Sequence, residues 1–239
     1  MIRELTIVFP LFNEGKRLKK TFLQIKNFKR KIKKKIEIIF VDDGSIDNSN
    51  ILINKFKNEV SSKNFLIKIR KLKKNMGKGY ALKTGVKMSS LNWILTTDID
   101  LSVSLFQILV WEKSYNFKSN EVIFGSRNHK KSKVTKNFFR FFLGKIFNFL
   151  VDNILNISLL DTQCGFKLYK KSTAKKIFLN LTDYSFTHDL ELALICRNKK
   201  IKIVELPVKW VHEKGSRINF FFEPIRMFLS IFLLKFKYF

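Results

Sequence analysis

Asp98 and Asp100 stand two residues apart at the end of an apolar run, Trp93-Ile94-Leu95-Thr96-Thr97-Asp98-Ile99-Asp100, in a chain of net charge +28. The run reads as a buried strand, and a short turn after it would aim both carboxylates at one point in front of a sheet. Two carboxylates that close repel each other unless a cation lies between them. Oxygen ligands with no His or Cys nearby suit a hard divalent ion that also takes substrate phosphates. Taken alone, the D-x-D pair is more simply an acidic turn capping the next helix, so its surroundings must decide.

Those surroundings alternate. Strand-like runs are expected at Leu5–Phe9, Ile36–Val41, Phe65–Ile69, Trp93–Thr97 and Val122–Phe124, with helix-like stretches at Glu14–Lys31, Asp47–Val60, Lys78–Met88 and Leu105–Tyr115. Alternation of this kind implies an α/β fold, a mainly parallel sheet with helices on both faces. Ligands of such sheets sit at the carboxyl ends of the strands. Three polar clusters fall there: Asn13-Glu14, Asp42-Asp43-Gly44-Ser45 and Asp98/Asp100. Past Gly125 the texture changes. Phe138–Leu160 is aromatic-rich, with Phe139, Phe142, Ile146, Phe149, Leu150 and Ile154 on one helical face, and Phe220–Phe239 is similar. Either is an ordinary core helix on its own; two of them, flanked by lysines, read equally as interfacial membrane helices.

Composition narrows the class. A chain of 239 residues, 46% hydrophobic and 14% aromatic, is one large or two small domains and not a disordered segment. Nine glycines and three prolines leave little for linkers. Cys164 and Cys196 make neither a disulfide framework nor a metal spacing, which fits a reducing compartment. His129, His188 and His212 are scattered, as surface or core histidines are. No secretory signal opens the chain, and no run reaches the roughly 18 apolar residues of a spanning helix. Arginine appears nine times, so lysine supplies most of the positive excess. Such a surface attracts nucleic acid, anionic lipid or phosphorylated substrates. No groove-reading helix, RNP motif or zinc finger is visible, which argues against a nucleic-acid partner.

Four motifs occur in one order: Phe9-Pro10-Leu11-Phe12-Asn13-Glu14, Val41-Asp42-Asp43-Gly44-Ser45, Asn75-Met76-Gly77-Lys78-Gly79 and Thr97-Asp98-Ile99-Asp100-Leu101-Ser102. Each is weak alone; the ordered set resembles the GT-A glycosyltransferases of family 2. Gly125-Ser126-Arg127, Asp161-Thr162-Gln163-Cys164-Gly165-Phe166-Lys167, Phe186-Thr187-His188-Asp189-Leu190-Glu191 and Val208-Lys209-Trp210 with Gly215-Ser216-Arg217 resemble the polyprenyl-phosphate glycosyltransferases, the dolichyl-phosphate β-glucosyltransferase group in particular. The resemblance runs from residue 5 to about residue 218. It departs at Ile99, where the family's middle residue is Ala. It also departs in lacking the N-terminal anchor or the C-terminal spanning helices of relatives, so membrane contact is expected to be peripheral.

The resemblance implies a GT-A domain over 1–218, with a membrane-facing amphipathic helix at about 136–160, and an amphipathic tail over 219–239. It implies an inverting transfer of a hexose, most simply glucose from UDP-glucose, to a polyprenyl phosphate at the cytoplasmic face of a membrane. GDP-mannose as donor stays open. Pro10, Asn13, Glu14, Asp42, Asp43, Ser45, Lys78 and Asp98 would face the nucleotide sugar, and Asp98 and Asp100 would hold Mg2+ or Mn2+ against its diphosphate. Lys78 reads equally as a solvated lysine. Arg127 and Arg140 would bind the acceptor phosphate, Arg140 having the alternative of snorkelling. Asp189, Asp161 and Glu191 are the candidate catalytic carboxylates, for base or orienting duty, with Asp189 preferred; Asp189 and Glu191 open a helix, so one of them could merely complement its dipole.

Overall fold

The structure, a computed structural model, describes residues 2–117, 120–135, 147, 150–212 and 223–239, with side chains of the last segment from Phe228 onward. Arg140, most of the aromatic stretch 136–160 and the Gly215-Ser216-Arg217 motif lie outside the described residues.

The expected alternation is observed. In chain order the elements begin β1 (Glu4–Leu11), α1 (Gly15–Lys31), β2 (Lys35–Asp42), α2 (Ser49–Val60), β3 (Phe65–Lys71), α3 (Lys78–Met88), β4 (Trp93–Thr96), α4 (Gln107–Ser114), β5 (Val122–Ser126) and β6 (Lys133–Val134). They continue with β7 (Lys167–Lys170), α5 (Lys171–Leu179), α6 (His188–Asn198), β8 (Ile203–Pro207), β9 (Lys209–Trp210) and α7 (Glu223–Tyr238). Seven strands form one sheet in the order β3-β2-β1-β4-β7-β5-β8, while β6 and β9 form a small second sheet. β1 to β4 pair in parallel, but β7 runs antiparallel to both its neighbours, β4 and β5.

The central strands are apolar on both faces because both are covered. Ile7, Phe9, Ile38 and Phe40 turn towards α1, α2 and α4, packing with Leu18, Ile25, Phe28, Ile53, Phe56 and Trp111. Val8, Ile39 and Val41 turn the other way, onto Ala81, Leu82 and Val86 of α3, with Ala174, Ile177 and Phe178 of α5 in the same layer. Leu18, Thr21, Ile25 and Phe28 are the buried stripe of α1, at helical spacing. Pro10 is tolerated inside β1 for a positional reason. The Val8 carbonyl faces β4 and accepts the Thr97 N–H; two residues on, Pro10 faces the same way but beyond the last β4 partner, so its missing donor leaves no rung unmade.

A third cluster joins α6 to the C-terminal helix: Leu190, Ala193 and Leu194 pack with Val151, Leu155, Ile231 and Leu234. The opposite side of α7 carries Phe228, Leu229, Phe232, Leu233 and Phe236 at the surface. Among the described residues no helix is long and apolar enough to cross a membrane.

Gly85 marks the closest approach of α3 to the sheet: a Cβ there would lie 2.3 Å from Cγ1 of Val8. Gly85→Ala is expected to lift α3 from β1 and lower stability by about 1–3 kcal/mol, measured by urea unfolding; an unchanged midpoint would mean the helix has room to shift.

Candidate active site

The two carboxylates that open the sequence reading follow β4 directly. After Thr97 the chain leaves the sheet, and Leu101, at φ +52°, reverses it. Ser102 then donates its backbone N–H to Oδ1 of Asp100 at 2.9 Å. Ile99 is buried beneath this turn and its carbonyl accepts the Thr21 hydroxyl at 2.6 Å, so the departure from the family's small residue is absorbed by the core. The far end of the turn is pinned just past β9, where Val211 donates to the Ser102 carbonyl at 2.9 Å. Asp98 does not face solvent alone. Oδ1 pairs with the Lys78 ammonium at 2.7 Å, so the lysine is held against the D-x-D turn. On its other side lies Gly165, where a Cβ would come within 2.3 Å of Oδ2. The wall there is backbone because no side chain fits.

The nucleotide-side candidates form one hydrogen-bonded unit between the β1 and β2 ends. Asn13 donates its N–H to Ser45 Oγ at 2.8 Å, and its side-chain oxygen accepts the Ile46 and Asp47 N–H groups at 2.9 and 3.3 Å. Glu14 donates its N–H to Ser49 Oγ and pairs with Arg17. Asp43 gives both oxygens, each at 2.8 Å, to the N–H groups of Met76 and Gly77, and so holds the glycine loop that presents Lys78. Asp42 differs: Oδ1 accepts the Ser45 N–H at 2.8 Å, while buried Oδ2 has no hydrogen-bond partner. Of the two aspartates, Asp42 alone keeps an oxygen with no partner among the described residues, and that oxygen is buried. Pro10 lines the same cavity as Lys78, Asp98 and Asp189.

Across Asp98, a second cavity is lined by Thr97, Arg127, Gln163, Gly165 and Trp210. Arg127 is aimed by Asp161. Its Nε and Nη2 donate to the two oxygens of Asp161 at 2.7 and 2.8 Å, and its backbone N–H adds a third bond at 2.8 Å. Asp161 is held in turn by Glu205, which accepts its N–H at 2.9 Å. Burial works against both charges, but each offsets this for the other: the guanidinium is pushed further up, and the Asp161 carboxyl is held below its ordinary range. Nη1 of Arg127 has no partner among the described residues. Asp161, a candidate base in the sequence, thus acts here on the arginine.

The remaining two acidic candidates separate. Asp189, at the start of α6, lines the Lys78–Asp98 cavity, and its Oδ1 receives the buried Lys167 ammonium at 2.5 Å. Glu191 faces away. It accepts the N–H groups of Thr182 and Asp183 and the Tyr238 hydroxyl, and it pairs with Lys237, so it ties the loop before α6 to α7. The sequence assigned no role to Lys167 or Gly165, although both lie in a motif singled out there. His188, read as a surface or core histidine, is buried with its ring beside Asp189.

The carboxylates fit a divalent ion. Burial raises the Asp100 carboxyl, and the charge of Asp98 raises it further, a repulsion that a cation between them relieves. Burial also opposes ionisation of Asp98, but Lys78 more than offsets that. The donor set is all oxygen, which suits Mg2+ or Mn2+. Among the described residues no cluster of three or more His, Cys, Asp or Glu side chains is arranged to hold a metal, so substrate and water oxygens would complete the shell.

This arrangement, an α/β sheet with a D-x-D turn after its fourth strand, is that of a GT-A transferase. The glycosyl transferase family 2 profile matches residues 6–178, and the chain belongs to that family of glycosyltransferases. It is 31% identical to a dolichyl-phosphate β-glucosyltransferase of Dictyostelium discoideum, over 98% of this chain and 74% of that one. With the Homo sapiens enzyme of that name the identity is 30%, over 99% and 76% of the two chains. Among solved structures, glucosyl-3-phosphoglycerate synthase of Mycobacterium tuberculosis in complex with Mg2+ and UDP superposes with TM-score 0.69 at 12% identity, covering 98% of this chain and 79% of that one. Its complex with Mn2+, UDP-glucose and glycerol 3-phosphate gives 0.67 at 13% identity, over 98% and 80%. At that identity the likeness is one of fold.

Gly165→Ala tests the backbone wall. The added methyl displaces the Asp98 carboxylate, and a displacement near 1 Å in such a site costs about a hundredfold in turnover. The expected result is a folded protein with that loss; full activity would show that the carboxylate moves without penalty.

Proposed function

We propose that the protein is an inverting, divalent-metal-dependent transferase that moves glucose from UDP-glucose to a polyprenyl phosphate at the cytoplasmic face of a membrane. The observation that carries this is the pairing of two anion-handling devices around Asp98. On one side stand the Asp98/Asp100 carboxylates with Lys78, suited to a diphosphate with its metal. On the other stands the Arg127 guanidinium, locked by Asp161 and with Nη1 unpartnered among the described residues, suited to a second phosphate. The names of the relatives supply the sugar and the lipid.

The chemistry follows from these charges. A bound Mg2+ or Mn2+, held by Asp98 and Asp100, would offset charge on the departing nucleoside diphosphate. The acceptor phosphate has a second pKa near about 6, so at neutral pH it is already mostly a dianionic nucleophile. Its oxygen bonds to the anomeric carbon as the bond to the diphosphate breaks, with inversion, and no proton has to be removed. What the protein must do is bring two anions together, and Arg127 and Lys78 serve that end. Asp42 and Pro10 are assigned to the nucleotide-sugar side of the site. Residues 1–218 form the catalytic domain in this reading, and 219–239 the tail that rests on lipid. Support for lipid contact comes from the outward Phe228, Leu229, Phe232, Leu233 and Phe236 of α7, with Lys235 and Lys237 among them.

Incubating the protein with polyprenyl-phosphate vesicles, Mg2+ and labelled UDP-glucose or GDP-mannose is expected to give a lipid-linked glucose that EDTA abolishes. A product from GDP-mannose alone would replace the donor, and EDTA-resistant transfer would remove the metal from Asp98 and Asp100. Arg127→Ala is expected to raise the KM for lipid phosphate by about 10- to 100-fold, the worth of charge-assisted bonds, leaving the donor KM nearly unchanged. Equal effects on both substrates would take Arg127 out of the acceptor site.

A further inference from the structure

Lys167 is 1% exposed, in a chain whose other lysines mostly cover the surface. It opens β7, and because β7 is antiparallel its first residue lies beside the carboxyl ends of the neighbours, opposite Thr96 of β4 and Phe124 of β5. Burying an ammonium costs several kcal/mol unless it is well paired. Two partners meet that need: Asp189 Oδ1 at 2.5 Å and the face of the Phe124 ring, 4.8 Å from Nζ.

The consequence falls on Asp189. His188 directs Nδ1 at the Ser185 carbonyl, 2.7 Å away, so the neutral ring donates there and turns a lone pair, not a proton, towards Asp189. Burial favours that neutral form. Lys167 is then the donor that fixes Oδ1. Oδ2 makes no hydrogen bond among the described residues, and the side chain lines the cavity that also holds Lys78, Asp98 and Gly165. Burial opposes the Asp189 charge, and with the His188 ring neutral the cations left to favour that charge are Lys167 and Lys78. An ionised oxygen of that kind is a poor proton acceptor and a strong hydrogen-bond acceptor. Diphosphate oxygens carry no proton to give it and would be repelled; a neutral hydroxyl is the complementary group.

We propose that Lys167 is a positioning residue that clamps Oδ1 of Asp189, so that Oδ2 stands as a fixed anionic acceptor for one hydroxyl of the transferred sugar. Asp189 then orients the donor and acts as no base. This rests on the transferase reading above, and the test separates the two.

The full-length protein is assayed with polyprenyl-phosphate vesicles and the four monodeoxy analogues (2-, 3-, 4- and 6-deoxy) of whichever nucleotide sugar turns over. One position is expected to lose about 10- to 100-fold in kcat/KM in the wild-type protein. Lys167→Met, close in length and without charge, is expected to lose a similar factor on the parent sugar. It should show no further loss with that one analogue, while UDP binding stays as in wild type; the melting temperature is expected to fall, because Asp189 loses its buried partner. If Lys167→Met does not fold, the double variant Lys167→Met with Asp189→Asn removes both buried charges together and should treat that analogue and the parent sugar alike. Uniform handling of all four analogues by the wild-type protein, or undiminished discrimination in Lys167→Met or the double variant, overturns the proposal while the transferase stands. Turnover of no nucleotide sugar overturns both.

Discussion

A carboxylate drawn partly or wholly out of water must meet a cation, hydrogen-bond donors or a proton, and three ion pairs organise the far half of the carboxyl edge of the sheet. Asp98 meets Lys78, Asp161 meets Arg127, and Asp189 meets Lys167. In each pair the two partners come from different parts of the chain, so a pair forms only when strands and loops are in their final places. The folded sheet and the charged site are therefore one event. The pairing also divides the three by outcome: Asp98 keeps a partly exposed carboxylate, Asp161 aims an arginine, and Asp189 is itself held by a lysine. Three aspartates of one type in sequence acquire three roles from their neighbours.

Much of the framework was legible because parallel strands buried on both faces leave continuous apolar runs. Ile36–Val41 could be read as a strand from its residues alone, and the polar clusters at the strand ends followed. β7 was not legible. It has four residues, begins and ends with lysine, and pairs with strands lying roughly forty to eighty positions earlier in the chain. A lysine that is buried looks like any other in a chain with 47 Lys and Arg. The partners of Asp43 and Glu191 were hidden for a related reason. Asp43 accepts backbone N–H groups of the glycine loop, and Glu191 those of the loop before α6 together with Tyr238 and Lys237, contacts that leave no trace in residue identity.

Close approach between loops explains the glycines that frame the cavity. At Gly77, with φ +97°, a side chain would strike the Tyr184 carbonyl oxygen, 2.2 Å from where its Cβ would lie. Gly79 donates its N–H to that same carbonyl at 3.0 Å. The loop bearing Lys78 and the loop preceding α6 thus lie backbone against backbone, with the His188 side chain packed at the same approach.

The loop preceding α6 is also where the C-terminal helix arrives. Lys237 and Tyr238 reach Glu191, Glu191 holds Thr182 and Asp183, and the next residue, Tyr184, supports the glycine loop. Fraying of the tail and loosening of the cavity mouth therefore belong to one local unfolding equilibrium. By reciprocity, whatever orders the outer face of α7 tightens that mouth, and a ligand that orders the mouth makes the tail harder to peel away.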